Sequence, residues 1–119
     1  REETGPAGYM LRIKGALFYA SLEPLSEAFH RHLEEDLTVD LQYTTHIDQS
    51  AVDFFSREAR HMAGRGHRLK LLINDRQRHF LQAMGVSSQV TLQSLQENAR
   101  PESGSIAINH SATMTGEKK

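Results

Sequence analysis

The chain has 119 residues, enough for one domain with a modest core, and its 38% hydrophobic and 24% charged residues are ordinary for a globular protein. It has no cysteine, which excludes a disulfide framework, a thiolate metal site and a cysteine nucleophile. The net charge of −1 hides an asymmetry: four Lys/Arg face ten Asp/Glu through residue 56, and seven face two over residues 57–79.

Residues 1–8 are polar, carry Gly5, Pro6 and Gly8, and read as a linker with no apolar signal segment. The lack of an initiating Met suits a piece of a longer protein or a processed chain. Tyr9 to Lys14 alternates apolar and polar like a half-buried strand. Gly15 punctuates it, and Ala16-Leu-Phe-Tyr-Ala20 reads as a second strand, expected to form a hairpin with the first. That run is also the longest uninterrupted apolar stretch, far short of the roughly 20 residues a bilayer span requires. A helix is expected from Ser21 or Glu23, since Pro24 suits a first turn and Leu22, Leu25, Phe29 and Leu33 share a stripe.

Leu37 to Gln42 alternates like a buried strand, and Tyr43, Thr44, Thr45 and His46 read as an exposed loop that a partner could touch. Asp48 is well suited to cap a helix from Gln49 to about Ala63, its carboxylate accepting from an otherwise orphan amide. Ala51, Phe55, Ala59 and Met62, widened by Val52, give that helix an apolar face, and Gly64 and Gly66 stop it. Ser50 then lies in the first turn, its hydroxyl beside free amides and the positive end of the macrodipole. There it can accept a phosphoryl group or help the amides hold an anion.

Arg68 to Ile73 is a nearly continuous apolar run, as in a sheet interior. Asp75 is expected to cap a third helix with Phe80, Leu81 and Met84, ending at Gly85. Val86 to Leu92 reads as a further strand and Thr91 or Ser94 to Ala99 as a short helix. Residues 100–119 form a polar tail, expected to be flexible or to dock only a strand. Strands alternating with helices make the chain α/β, with a mixed sheet of about four to five strands covered mainly by about four helices. Helix N-termini then gather at the carboxyl ends of the strands, where ligands and modifications of such sheets sit.

The strand–loop–Asp48-Gln49-Ser50-Ala51–helix unit resembles the signature of STAS domains, regulatory modules of anti-sigma-factor antagonists and of SulP-family anion transporters. The resemblance covers Met10 to Leu95, within a domain expected over residues 9–99. Gly15-Ala-Leu-Phe-Tyr-Ala-Ser-Leu-Glu-Pro-Leu25 resembles the G-x-L-F-F-A-N-A-x-x-L pattern of the transporter branch. Antagonists carry a polar segment there, so Phe18 and Tyr19 are the discriminating residues. The resemblance implies a non-enzymatic regulatory domain at the cytoplasmic face of a bacterial inner membrane, tethered through a separate transmembrane part. Its implied partners are that membrane domain and cytosolic proteins, with a homodimer as a further possibility. In the antagonist branch a serine at the position of Ser50 is phosphorylated; Gln49 and Ala51 depart from the Ser-Ser-Gly common there. Weak nucleotide or anion binding rests on general STAS precedent alone; no cofactor is expected.

Other chemistries find less support. His30 and His32 point to different sides of a helix, and His61 and His67 straddle a glycine break, so no metal site is expected. His46, Asp48 and Ser50 sit too close in one turn for a hydrolase relay, and no G-x-S-x-G elbow is present. Sparse aromatics among the basic residues of 57–79 argue against nucleic acid; anionic lipid, an acidic partner or a solvated face fit that stretch better.

Overall fold

The computed structural model describes residues 8–94 and 104–108. In chain order these form β1 (Tyr9–Leu17), a 3-10 turn (Tyr19–Ser21), α1 (Leu22–His30), β2 (Leu37–Asp40), β3 (Thr44–Ile47), α2 (Gln49–Gly64), β4 (Leu69–Ile73), α3 (Asp75–Ala83), β5 (Val90–Ser94) and β6 (Gly104–Ile108). The strand order is β3-β1-β2-β4-β5, with β6 also on β1.

Every recorded strand pairing is parallel, which corrects the expected mixed sheet. The expected hairpin is absent for the same reason. Tyr9–Leu17 is one strand, and Gly15 (φ 110°) kinks it instead of reversing it. A register shift between Gly15 and Ala16 accompanies the kink. β2 pairs with residues 9–12 of β1 and β3 with residues 15–17, so the chain follows β1 twice with a break at 41–43.

Alternation along the strands separates two faces. Leu11, Ile13, Val39, Leu69, Leu71, Ile73 and Val90 join one apolar cluster with Leu25 and Phe29 of α1, Phe54, Phe55 and Met62 of α2, and Leu81 of α3. All three helices therefore lie on one face, as right-handed crossovers between successive parallel neighbours require. Phe29, Phe54 and Phe55 form the aromatic centre of this layer, with Phe29 and Phe54 edge-to-face at 5.2 Å between centroids. α1 and α2 are thus direct neighbours.

The other face carries Met10, Arg12, Thr38, Asp40 and Leu72. Arg12 lies opposite Asp40 in the register, and its Nε donates to Asp40 Oδ2 at 3.0 Å. Asp40 Oδ1 also accepts from the Gln42 amide at 2.8 Å, so both carboxylate oxygens of this buried residue are engaged.

Helix boundaries follow capping chemistry. Asn74, not Asp75, caps α3: its side chain accepts from the Gln77 amide at 2.7 Å, and Gln77 Oε1 accepts from the Asn74 amide at 3.0 Å. This reciprocal box leaves Asp75 in the first helical turn, still well placed against the macrodipole. The expected strand at Val86–Leu92 is found later, at Val90–Ser94. The expected helix reaching Ala99 extends beyond the described residues. Residues 104–108 of the tail form β6, paired with Leu11–Gly15.

Candidate functional site

The carboxyl end of β1 and the start of α2 are stitched together by the Asp48 amide, which donates to the Leu17 carbonyl at 3.1 Å. Asp48 has extended backbone (φ −108°, ψ −178°), and its Oδ1 accepts from the Ala51 amide at 3.2 Å. The geometry is that of a helix N-cap, as the Asp-x-x-Ala spacing leads one to expect. Gln49 is exposed and its side-chain amide donates to Asp53 Oδ1 at 3.0 Å. Ala51 is fully buried, so its methyl group is part of the core.

Ser50 lies between them, half-buried in the first turn of α2. Among the described residues, no hydrogen bond joins its hydroxyl to His46 or Asp48. Along α2, residues 50, 54 and 57 share one side of the helix. Below Ser50 that side holds buried Phe54 and then Arg57, whose guanidinium lies 5.7 Å from the Phe54 ring centroid. Phe54 and Arg57 line a groove of about 380 Å³ against Tyr19, Leu22, Glu23 and Ser26. Among the described residues Tyr19 is the most exposed of the large apolar side chains, at 78%.

The segment read as a partner-facing loop divides. Tyr43 is exposed, with the Arg12 guanidinium 4.9 Å from its ring centroid. Thr44 to Ile47 is strand β3 and not a loop. Thr44 is buried, and its hydroxyl donates to the Ile13 carbonyl at 2.9 Å, so this side chain faces the sheet. Thr45 and His46 remain exposed, and the His46 ring lies 4.9 Å from that of Phe18. A cleft of about 310 Å³ separates β3 from the start of α3, lined by Thr45, His46, Asn74, Arg76, Gln77 and Phe80 among others.

Gln77 was not singled out from sequence. Its Nε2 donates to the Leu41 carbonyl at 2.9 Å, which ties α3 to the strand end that leads into β3. The Asn74-x-x-Gln77 spacing of a capping box was the available signal. Two of the histidines are engaged locally: His32 Nδ1 lies 2.6 Å from Glu35 Oε2 with its ring stacked on Tyr9, and His67 Nδ1 lies 3.3 Å from Asp36 Oδ1. No group of three or more His, Cys, Asp or Glu among the described residues could hold a metal ion.

The described surface therefore offers a half-buried hydroxyl at a capped helix start, on the side of α2 that leads through Phe54 and Arg57 to the Tyr19 groove. No curated protein sequence matches the chain significantly. A family model for the STAS domain matches residues 1–99.

Proposed function

The chain belongs to the STAS domain family, and on that premise we propose that it is the regulatory domain of a SulP-type anion transporter, acting on the membrane domain or through cytosolic proteins. Membership itself points to a regulatory or interaction role. The observation that favours the transporter branch is the apolar Phe18-Tyr19 segment leading into a 3-10 turn that leaves Tyr19 exposed at 78%. An aromatic side chain held in water suits a domain that packs against other protein. No helix of the described residues is long and apolar enough to cross a membrane; in the proposed reading, transport belongs to a separate membrane part.

The test is anion uptake by cells expressing the full-length gene product. Tyr19→Ala is expected to reduce sulfate-type uptake several-fold while leaving the amount of protein in the membrane unchanged. A full-length product without hydrophobic spans, or uptake indifferent to the substitution, refutes the transporter reading.

A partner-switching protein of the anti-sigma-antagonist kind is the second reading, and Ser50 carries it. Its hydroxyl is partly accessible, and a phosphoryl group at a helix N-terminus meets favourable charge. Phosphorylation would then alter the surface beside Tyr19 and Arg57 without melting α2. Incubation with a cognate kinase followed by peptide mapping tests this; label on any residue other than Ser50 refutes it.

A further inference from the structure

The exposed side of the helix layer is graded in charge. Each helix returns the chain between parallel strands, so the helix C-termini lie at the end where β1, β2, β4 and β5 begin. Hydrogen bonds hold that end together: the Tyr9 amide donates to the Asp36 carbonyl and the Leu37 amide to the Arg68 carbonyl, each at 3.0 Å. Along α2, Ala51, Val52, Phe55, Ala59 and Met62 face the core. Residues 53, 57, 60, 61 and 64 form the opposite stripe, and all are exposed.

This stripe starts acidic at Asp53, which accepts from the Gln49 side chain, and then carries Arg57, Arg60 and His61. Exposed Arg65 and Arg68 continue it through the turn into β4. Glu58 is half-buried on the flank, so no exposed carboxylate interrupts the four arginines from Arg57 to Arg68. Among the described residues none of the four makes an ion pair. On α3 the exposed carboxylate, Asp75, stands at the first turn, and residues 80–89 carry no charge at all. The Ser87 amide donates to Ser56 Oγ at 3.0 Å, which fixes this uncharged end beside the basic half of α2.

We propose that the C-terminal half of α2 and the turn beyond it, with Arg57, Arg60, Arg65 and Arg68, form a docking surface for an anionic phospholipid bilayer. Guanidinium groups spread over roughly 12 Å of helix and the following turn suit a plane of many phosphates better than one enclosed anion. Met84, 38% exposed at the end of α3, adds an apolar side chain that can enter the headgroup layer. Exposed Glu23, Glu27 and Glu34 lie on and just beyond α1 and confine the contact to the α2–α3 side, so the domain meets the bilayer tilted. An acidic protein would answer the same arginines. The choice of a bilayer rests on the transporter reading, which brings the domain to the cytoplasmic face of a membrane but assigns none of its surfaces to lipid.

Co-sedimentation of the 119-residue chain with lipid vesicles tests the surface without any transport assay. The chain is expected to bind vesicles of phosphatidylglycerol mixed with phosphatidylcholine, more tightly as the phosphatidylglycerol fraction rises and less tightly as salt is added. Pure phosphatidylcholine is expected to leave it in the supernatant. Arg60→Glu with Arg65→Glu is expected to weaken binding about tenfold or more. Arg60→Lys with Arg65→Lys is expected to keep it within about twofold, because a bilayer reads charge and not the planar fork. Glu23→Gln with Glu27→Gln, on α1, is expected not to weaken it. The surface is refuted by no binding at low salt, by equal binding to neutral vesicles, or by binding indifferent to the charge reversal. Binding to poly-glutamate without binding to vesicles assigns the arginines to an acidic protein and also overturns it. Vesicle binding can fail while uptake still depends on Tyr19, and the reverse, so this proposal and the transporter reading fail separately. The wild-type lipid and salt series decides the matter even if a variant misfolds.

Discussion

Asp48 fastens the start of α2, and its replacement reports how much one cap contributes. Asp48→Ala is expected to destabilise the domain by about 1 kcal/mol in urea unfolding, while Asp48→Asn, which still accepts from the Ala51 amide, costs little. Gln77 carries more, since it serves three backbone groups at once. Gln77→Leu leaves the Asn74 amide without its side-chain acceptor and the Leu41 carbonyl with only the Thr44 amide, inside a buried corner, an expected loss of about 1–2 kcal/mol by the same measurement. Asp48 was legible in the sequence because capping is local: the acceptor, the spacing and the apolar run that follows all lie within one turn. Thr44 was not, because its burial depends on the Ile13 carbonyl, thirty-one positions earlier in the chain. In the polar string Tyr43-Thr44-Thr45-His46 no residue type reveals which hydroxyl turns inward.

At the scale of elements, the helices were read more faithfully than the strands. The apolar stripes of α1 and α2 have the helical period, and Gly66 (φ 84°) supplies the left-handed residue just beyond α2, while Gly64 stays helical as its last residue. Strand direction is set by partners far away in sequence, so it was not accessible from local pattern. Gly15 illustrates the ambiguity, because a glycine between two apolar runs can reverse the chain or merely bend it. Here β2, β3 and β6 all pair with β1, and the bend at φ 110° keeps the second run in the same strand. Gly15→Ala is expected to destabilise by about 1–2 kcal/mol in urea unfolding, since an L side chain resists that conformation. Its signature should be a disturbed register, seen as amide exchange accelerated at Ala16 and Leu17 ahead of the rest of β1. An unaltered exchange pattern would show that the kink does not depend on glycine.

The described residues form a sheet with one helical layer, in which one core serves all three helices. Phe54 sits at the contact of α1 and α2, so Phe54→Ala is expected to cost about 3–5 kcal/mol in urea unfolding and to loosen the groove beside Tyr19. The α/β class was legible from the alternation of periods. The site at the start of α2 was legible in its cap and its serine, but not in its neighbours. The Phe18–His46 contact and the Tyr19 groove arise only when β1, β3 and α2 converge. The pairing of β1 with β6 joins positions roughly ninety residues apart, and so bears on how the protein is made. During synthesis β1 leaves the ribosome well before β6, so that part of its backbone waits for its partner. In the interval Leu11 to Gly15 offers a bare strand margin to any nascent chain nearby, a hazard that rests with the chaperones of the cell.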